Sequence, residues 1–114
     1  MHELGIASGI LSSAITAAEN VGATTISSVD VSIGVLTEVM EDALQFAWDE
    51  LRQGTMAENA ALTVTMLGAR SRCADCGHDY EHGRYDAARC PSCGSYVVML
   101  LQGRELDINR IDAD

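Results

Sequence analysis

Four cysteines, arranged as two pairs, are the residues of this 114-residue chain with the most defined chemistry. Cys73 and Cys76 form one CxxC, Cys90 and Cys93 a second, and 13 residues separate the pairs. Each pair can present two thiolates from one tight turn. Two such turns facing each other complete a tetrahedron with Zn–S distances of about 2.3 Å. Gly77 and Gly94 directly follow the second cysteine of each pair, where a positive φ lets the turn aim backbone amides at sulfur. The spacing therefore predicts one structural Zn2+ held by Cys73, Cys76, Cys90 and Cys93. Four thiolates leave no open position for water activation, so this ion folds the segment and does not catalyse. A redox dithiol would need one CxxC at a helix N-terminus after a strand, and two symmetric pairs lack that context. His78 and His82 lie between the pairs. Either could exchange onto zinc, although solvated histidines are the commoner case, and both are the local groups most sensitive to neutral pH.

A second constellation is the N-terminal Met1-His2-Glu3. The α-amine, the amide nitrogen of His2 and its imidazole can close two adjacent chelate rings around one metal. Such a nitrogen-rich, nearly planar donor set suits Ni2+ or Cu2+, whereas carboxylates alone favour Mg2+ or Ca2+. Histidine at position 2 is too large for the usual removal of the initiator methionine. Glu3 could add its amide or carboxylate as a fourth donor, or serve only as a favourable first-turn acid.

The elements that must position these groups follow from periodicity. Leu4, Ala7, Leu11, Ala14 and Ala18 recur at helical spacing, widened by Ile10 and Ile15, which predicts a helix over 3–19. Asn20 and Gly22 supply its stop. Val29, Val31 and Ile33 alternate with Asp30 and Ser32 in a strand over 26–33 that Gly34 ends. A second helix is expected over 38–53, with Thr37 as N-cap, Glu38, Glu41 and Asp42 in its first turn, and Gly54 as C-cap. Its apolar stripe is Ala43, Leu44, Ala47, Trp48 and Leu51. After a loop over 55–60, Leu62, Val64 and Met66 alternate with threonines in a second strand. The run from Cys73 to Cys93 is poor in apolar residues, so metal must supply much of its order. Strands over 96–101 and at Leu106–Ile108 close the chain. The expected fold is α+β: two helices packed on a small three-stranded sheet, with an inserted zinc-ribbon module of short β-hairpins. Residues 1–69, completed by 103–114, make the body, and 70–102 make the ribbon.

Charge narrows the function classes. The formal net charge is −10, every basic residue is an arginine, and Arg52 is the only one within residues 1–69. Nucleic-acid binding needs a clustered basic surface to displace counterions, and none of that size exists. No stretch is apolar enough to cross a bilayer, and the N-terminus has no basic, apolar leader. A cytoplasmic location follows as the expectation, where paired CxxC motifs bind metal more readily than they form disulfides. No general base beside an open metal site and no phosphate-binding glycine loop can be found, which argues against an enzyme. A zinc-ribbon adaptor in transcription or translation is the competing reading; the neutral charge of residues 70–102 and the few aromatics weaken it.

Taken in order, these features resemble the HypA/HybF nickel metallochaperones of hydrogenase maturation. The resemblance spans essentially the whole chain: Met1-His2-Glu3-Leu4, the strand ending Val31-Ser32-Ile33-Gly34, the acidic-then-aromatic helix Glu41 to Trp48, both CxxC pairs, and Gly103-Arg104-Glu105-Leu106. It implies a nickel-binding body holding Ni2+ through the N-terminal amine, His2 and its backbone, and a separate ribbon. It further implies delivery, alongside a partner GTPase, to the large subunit of a [NiFe]-hydrogenase, and in some organisms to urease through its accessory proteins. Some members place an Asp near the start of the second helix as an extra nickel donor; here that position is Met40, with Glu41 and Asp42 adjacent. A late histidine used by other members is replaced by the apolar run around Val98. Only Met1, His2 and Glu3 carry over.

Overall fold

The computed structural model describes residues 2–83 and 89–114. Helix α1 spans Glu3–Asn20 and strand β1 Ile26–Gly34, followed by a 3-10 turn at Val35–Thr37 and helix α2 at Glu41–Leu51. Strands β2 (Ala61–Leu67), β3 (Ala69–Cys73), β4 (Asp79–His82), β5 (Val98–Gln102) and β6 (Leu106–Ala113) complete the described elements. The strands form two three-stranded sheets, ordered β2-β1-β6 and β4-β3-β5. The α+β architecture of two helices, a small sheet and hairpins around the cysteines is the one expected.

The chain divides into two compact units. One comprises the chain up to Ser32 with Val39–Thr65 and Asp107–Asp114; the other comprises Ile33–Glu38 and Met66–Leu106. In the first unit α1 packs on α2, with Ala7, Ile10, Leu11 and Ala14 of α1 and Leu44, Ala47 and Trp48 of α2 buried. The small alanines of α1 let the helices approach closely. Trp48 is fixed at its polar end as well, because its indole N–H donates to the Ala60 carbonyl at 3.0 Å. Helix α1 stops as Gly22 turns to φ +76. The amides of Gly22 and Ala23 then bond back to the carbonyls of Glu19 and Ala18, a Schellman closure that only glycine makes without strain.

Several expectations are corrected. Leu4 and Ala43 do not join the buried stripes: Leu4 is 59 % exposed and Ala43 is exposed. The second helix starts at Glu41, three residues later than expected, with Met40 at its N-cap. Thr37 does not cap it, because its hydroxyl bonds back to the Gly34 carbonyl at 2.7 Å. Glu38 then takes a left-handed φ of 63, a conformation that cannot continue a right-handed helix. Nor is Gly54 the C-cap. Arg52 occupies that place, donating its amide to the Trp48 carbonyl, while Gly54 turns beyond it at φ 72. Strand β5 starts at Val98, leaving Tyr96 outside the ladder, and β6 runs on to Ala113.

In the second unit β3 is the central strand. It pairs antiparallel with β4 in the register Ser71↔Tyr80 and Arg72↔Asp79, and antiparallel with β5 through Cys73↔Val98. Arg72 and Asp79 form a two-pronged bond across the pair, at 2.6 and 3.0 Å. Backbones approach closely where Gly34 meets Gly103: a Cβ on Gly34 would collide with the Gly103 carbonyl. Gly34, at φ −77, is glycine there for space and not for its φ.

Candidate metal sites

The two CxxC turns are near copies of each other. Cys73 closes strand β3, and its amide donates to the His78 carbonyl at 2.9 Å; that of Cys90 donates to Ser95 at 3.0 Å. Gly77 and Gly94 return their amides to the carbonyls of Cys73 and Cys90, at φ 77 and 78. The amides of Cys76 and Cys93 point at the first sulfur of their own turn, at 3.4 and 3.5 Å. The Ser95 hydroxyl clasps Asp75 across the two turns. Arg89 donates to the Gly94 carbonyl and lies over the Tyr96 ring, 5.1 Å from its centroid.

All four sulfurs lie within 4.8 Å of one another. Across the turns, Cys73 and Cys93 approach to 3.5 Å, as do Cys76 and Cys90. A tetrahedral Zn–S4 centre has sulfur–sulfur edges of about 3.8 Å, so the donor set fits zinc in type, number and spacing. Among the described residues this is the only group of three or more His, Cys, Asp or Glu side chains placed to hold a metal.

The amides also polarise the thiols unequally. Burial, the largest single influence on Cys90, opposes its ionisation; the amides of Cys93 and Ser92 and the neighbouring sulfurs outweigh it and bring the thiol down to about 6. Cys73 is lowered too, chiefly by the Cys76 amide. Cys93 is pulled down by the Ser95 amide, but the Cys73 sulfur and burial push it up to about 12. Cys76 is raised because, against the His78 amide, its thiol keeps its proton and donates a hydrogen bond to the Cys90 sulfur. The sulfurs of Cys90 and Cys73 thus ionise more readily than those of Cys93 and Cys76, and a bound dication takes the place of the thiol protons.

Neither histidine of the segment joins the sulfur group. The His82 ring bonds the buried Ser71 hydroxyl at 2.9 Å, and the exposed His78 stacks on Tyr80 at 6.1 Å. Sequence reasoning missed Tyr80, although β4 reads Asp79-Tyr80-Glu81-His82; alternation alone sends that one aromatic inward.

At the other site, His2 is the N-cap of α1, extended at φ −84 and ψ 104. Its carbonyl accepts the Ile6 amide at 3.2 Å, while its side chain is exposed. Met1 lies outside the described residues. Glu3 does something the sequence did not reveal: its carboxylate accepts the Met40 amide at 3.0 Å. Since Met40 is the N-cap of α2 and caps it with no side chain of its own, Glu3 supplies the cap from the other helix. That bond, first among several influences, holds the Glu3 carboxyl below the usual carboxylate range.

Glu3→Ala is accordingly expected to lower the melting temperature by about 3–8 °C, the usual effect of losing a helix cap in a small domain. A carboxyl with a lowered pKa stabilises fully above its ordinary value, and the contribution fades as pH falls through the lowered one. The advantage of wild type over Glu3→Gln should therefore be full above the ordinary carboxyl range and shrink as pH falls below it. Thermal melts read by circular dichroism at several pH values check both.

A groove of about 380 Å3 adjoins this terminus, lined by His2, Glu3 and Leu4 of α1 and Ala43, Phe46 and Glu50 of α2. Phe46 is 71 % exposed there. Among the described residues no helix is long and apolar enough to cross a membrane.

Comparison with known proteins agrees with this geometry. A family model described as "Hydrogenase/urease nickel incorporation, metallochaperone, hypA" matches residues 1–113. A hydrogenase maturation factor HypA of Chlorobium luteolum is 36% identical over 114 residues, covering 100% of this chain and 97% of the relative. One from Acidithiobacillus ferrooxidans is 34% identical, with 100% of both chains covered. Among solved structures, the solution structure of the Ni metallochaperone HypA from Helicobacter pylori superposes with a TM-score of 0.71. It is 24% identical, with 99% of this chain and 97% of that one covered, and so speaks for the fold alone.

Proposed function

The chain belongs to the HypA family of hydrogenase/urease nickel-incorporation metallochaperones, and on that premise we propose that it binds one Ni2+ at its N-terminus and hands it on for assembly of a [NiFe]-hydrogenase active site. Four-coordinate zinc at Cys73, Cys76, Cys90 and Cys93 is structural, and nickel is the cargo. The partners are the nickel-handling GTPase of hydrogenase maturation and the hydrogenase large subunit, with urease accessory proteins as a second route. The role is delivery in the cytoplasm and not catalysis.

One observation carries this reading: the placement of His2 at the N-cap of α1. The first amides of a helix have no acceptor within it, so a metal can displace the protons of the His2 and Glu3 amides into solvent without breaking a helical hydrogen bond. The α-amine of Met1, the His2 amide and imidazole, and the Glu3 amide then make a four-nitrogen set of the kind that suits Ni2+. The Glu3 side chain, engaged on Met40, anchors the donors to both helices and is not itself the fourth ligand. Exposure of His2 leaves the ion reachable by an incoming acceptor, as transfer requires.

The reading is tested in cells lacking this chain and grown on limiting nickel. Wild type should restore hydrogenase activity and the His2→Ala protein should not, although both accumulate equally; full restoration by the variant would reject the N-terminal site as the delivery site.

A further inference from the structure

The two CxxC turns meet sulfur to sulfur. The Cys73 sulfur touches that of Cys93, and the Cys76 sulfur that of Cys90, each at 3.5 Å. Both contacts join one turn to the other. Each also joins unlike surroundings, because Cys73 and Cys90 are buried whereas Cys76 and Cys93 are exposed. Beside the sulfurs the turns are tied by the Ala74 amide, which donates to the Val97 carbonyl, and by the Ser95 hydroxyl, which bonds Asp75. Such pairs meet the two demands of a bridging oxidation. One sulfur must be open to the oxidant, and a second must already lie against it to trap the product.

We propose that the four-sulfur site is also an oxidation site, at which hydrogen peroxide links Cys73 to Cys93 and Cys76 to Cys90 and expels the ion. The exposed Cys93 sulfur attacks one peroxide oxygen, the O–O bond breaks and hydroxide leaves, making a sulfenic acid. The buried Cys73 sulfur then attacks the sulfenic sulfur; the S–OH bond breaks, a second hydroxide leaves and the S–S bond forms. Cys76 and Cys90 react in the same way. One Zn–S4 centre and two peroxides thus give two disulfides, free Zn2+ and four hydroxides, the four electrons lost by sulfur being gained by peroxide oxygen. Only a thiolate is a good zinc ligand, so the bridged sulfurs release the ion. The bridges then tie the turns where the ion tied them, and the sheet of β4, β3 and β5 stays folded. The inference goes beyond nickel delivery and rests only on the reading that these cysteines bind zinc.

The test treats the full-length, zinc-loaded chain with hydrogen peroxide. Zinc per chain should fall from one to about a tenth or less, and a thiol reductant with added Zn2+ should restore it. Trypsin cuts after Arg84 and Arg89, which separates the two turns. Without reduction, the peptides carrying Cys73–Cys76 and Cys90–Cys93 should therefore stay joined, and fragmentation in the mass spectrometer should assign the bridges to Cys73–Cys93 and Cys76–Cys90. Amides of β3, β4 and β5 in the oxidised chain should exchange with deuterium within about tenfold of the zinc form, whereas a reduced chain stripped by chelator should lose that protection. Bridges confined within each turn, sulfinic acids without bridges, or zinc retained under peroxide would each overturn the proposal while leaving the zinc site standing. Absence of zinc from the untreated chain would overturn both.

Discussion

Cys90→Ser is expected to empty the four-sulfur site and melt the second sheet while both helices stay folded. Cys90 is 2 % exposed and accepts the Cys93 amide. Its sulfur lies 3.5 Å from that of Cys76, so a hydroxyl there loses both a soft ligand and the sulfur that ionises most readily. What remains of the local core is Cys73, Tyr80 and part of Val98, far too little apolar surface to offset the entropy of ordering a segment this long. Where so little else is buried, metal-binding free energy is folding free energy. Zinc per chain should fall from one to about a tenth or less, and the amides of β3, β4 and β5 should exchange with deuterium at least about a hundredfold faster. Amides of α1 and α2 should keep their protection, since their core of Leu11, Leu44 and Trp48 draws on none of these residues. Full zinc content with unchanged exchange would contradict the account. Acid should act in the same direction on the wild type. Each cysteine must stay deprotonated to hold the ion, so zinc binding should weaken steadily as pH falls.

His2→Ala is expected to lower nickel affinity by at least about tenfold, or about 1.4 kcal/mol, while zinc stays at one per chain. The substitution removes one nitrogen of the chelate but leaves the backbone of α1 in place, because His2 contributes to that helix through its carbonyl to Ile6 and makes no side-chain cap bond. The folded state should therefore be nearly unaffected, which separates ligand loss from misfolding. Nickel binding should also weaken with falling pH in the wild type, because every proposed donor must shed a proton. Titration with Ni2+ after zinc content has been measured reads both quantities on one sample. Nickel affinity unchanged by the substitution would remove His2 from the site.

Much of this molecule is legible from sequence, and the exceptions have physical causes. The stripe Ala7, Leu11, Ala14 and Ala18 is helical at any register, and the alternation of Val29, Val31 and Ile33 fits a strand alone. The cysteine spacing fixes its own geometry, since a CxxC followed by glycine folds locally into the turn seen at Cys73–Gly77. What could not be read is what depends on distant partners. Thr37 looks like an N-cap by type, yet the chain turns through Glu38 and spends the hydroxyl on Gly34. The true cap on α2 comes from Glu3, 37 residues away, a relation no local pattern encodes. Leu4 and Ala43 carry helical spacing but line the groove at the N-terminus and stay exposed. The proposed nickel site would be invisible to any search for converging side chains, because most of its donors would belong to the backbone. Its signal is positional, a histidine second in the chain with a helix starting one residue later.

The central claim, that the chain terminus is itself the nickel ligand, is tested most directly by calorimetry with Ni2+ on the native chain and on one extended by two residues before Met1. Extension moves the α-amine away from the His2 imidazole while leaving α1, the Glu3–Met40 bond and all four cysteines intact. The account predicts nickel affinity reduced by at least about tenfold in the extended protein, with zinc content and melting temperature unchanged. Equal nickel affinity in the two proteins would contradict it, even if nickel binds elsewhere on the chain.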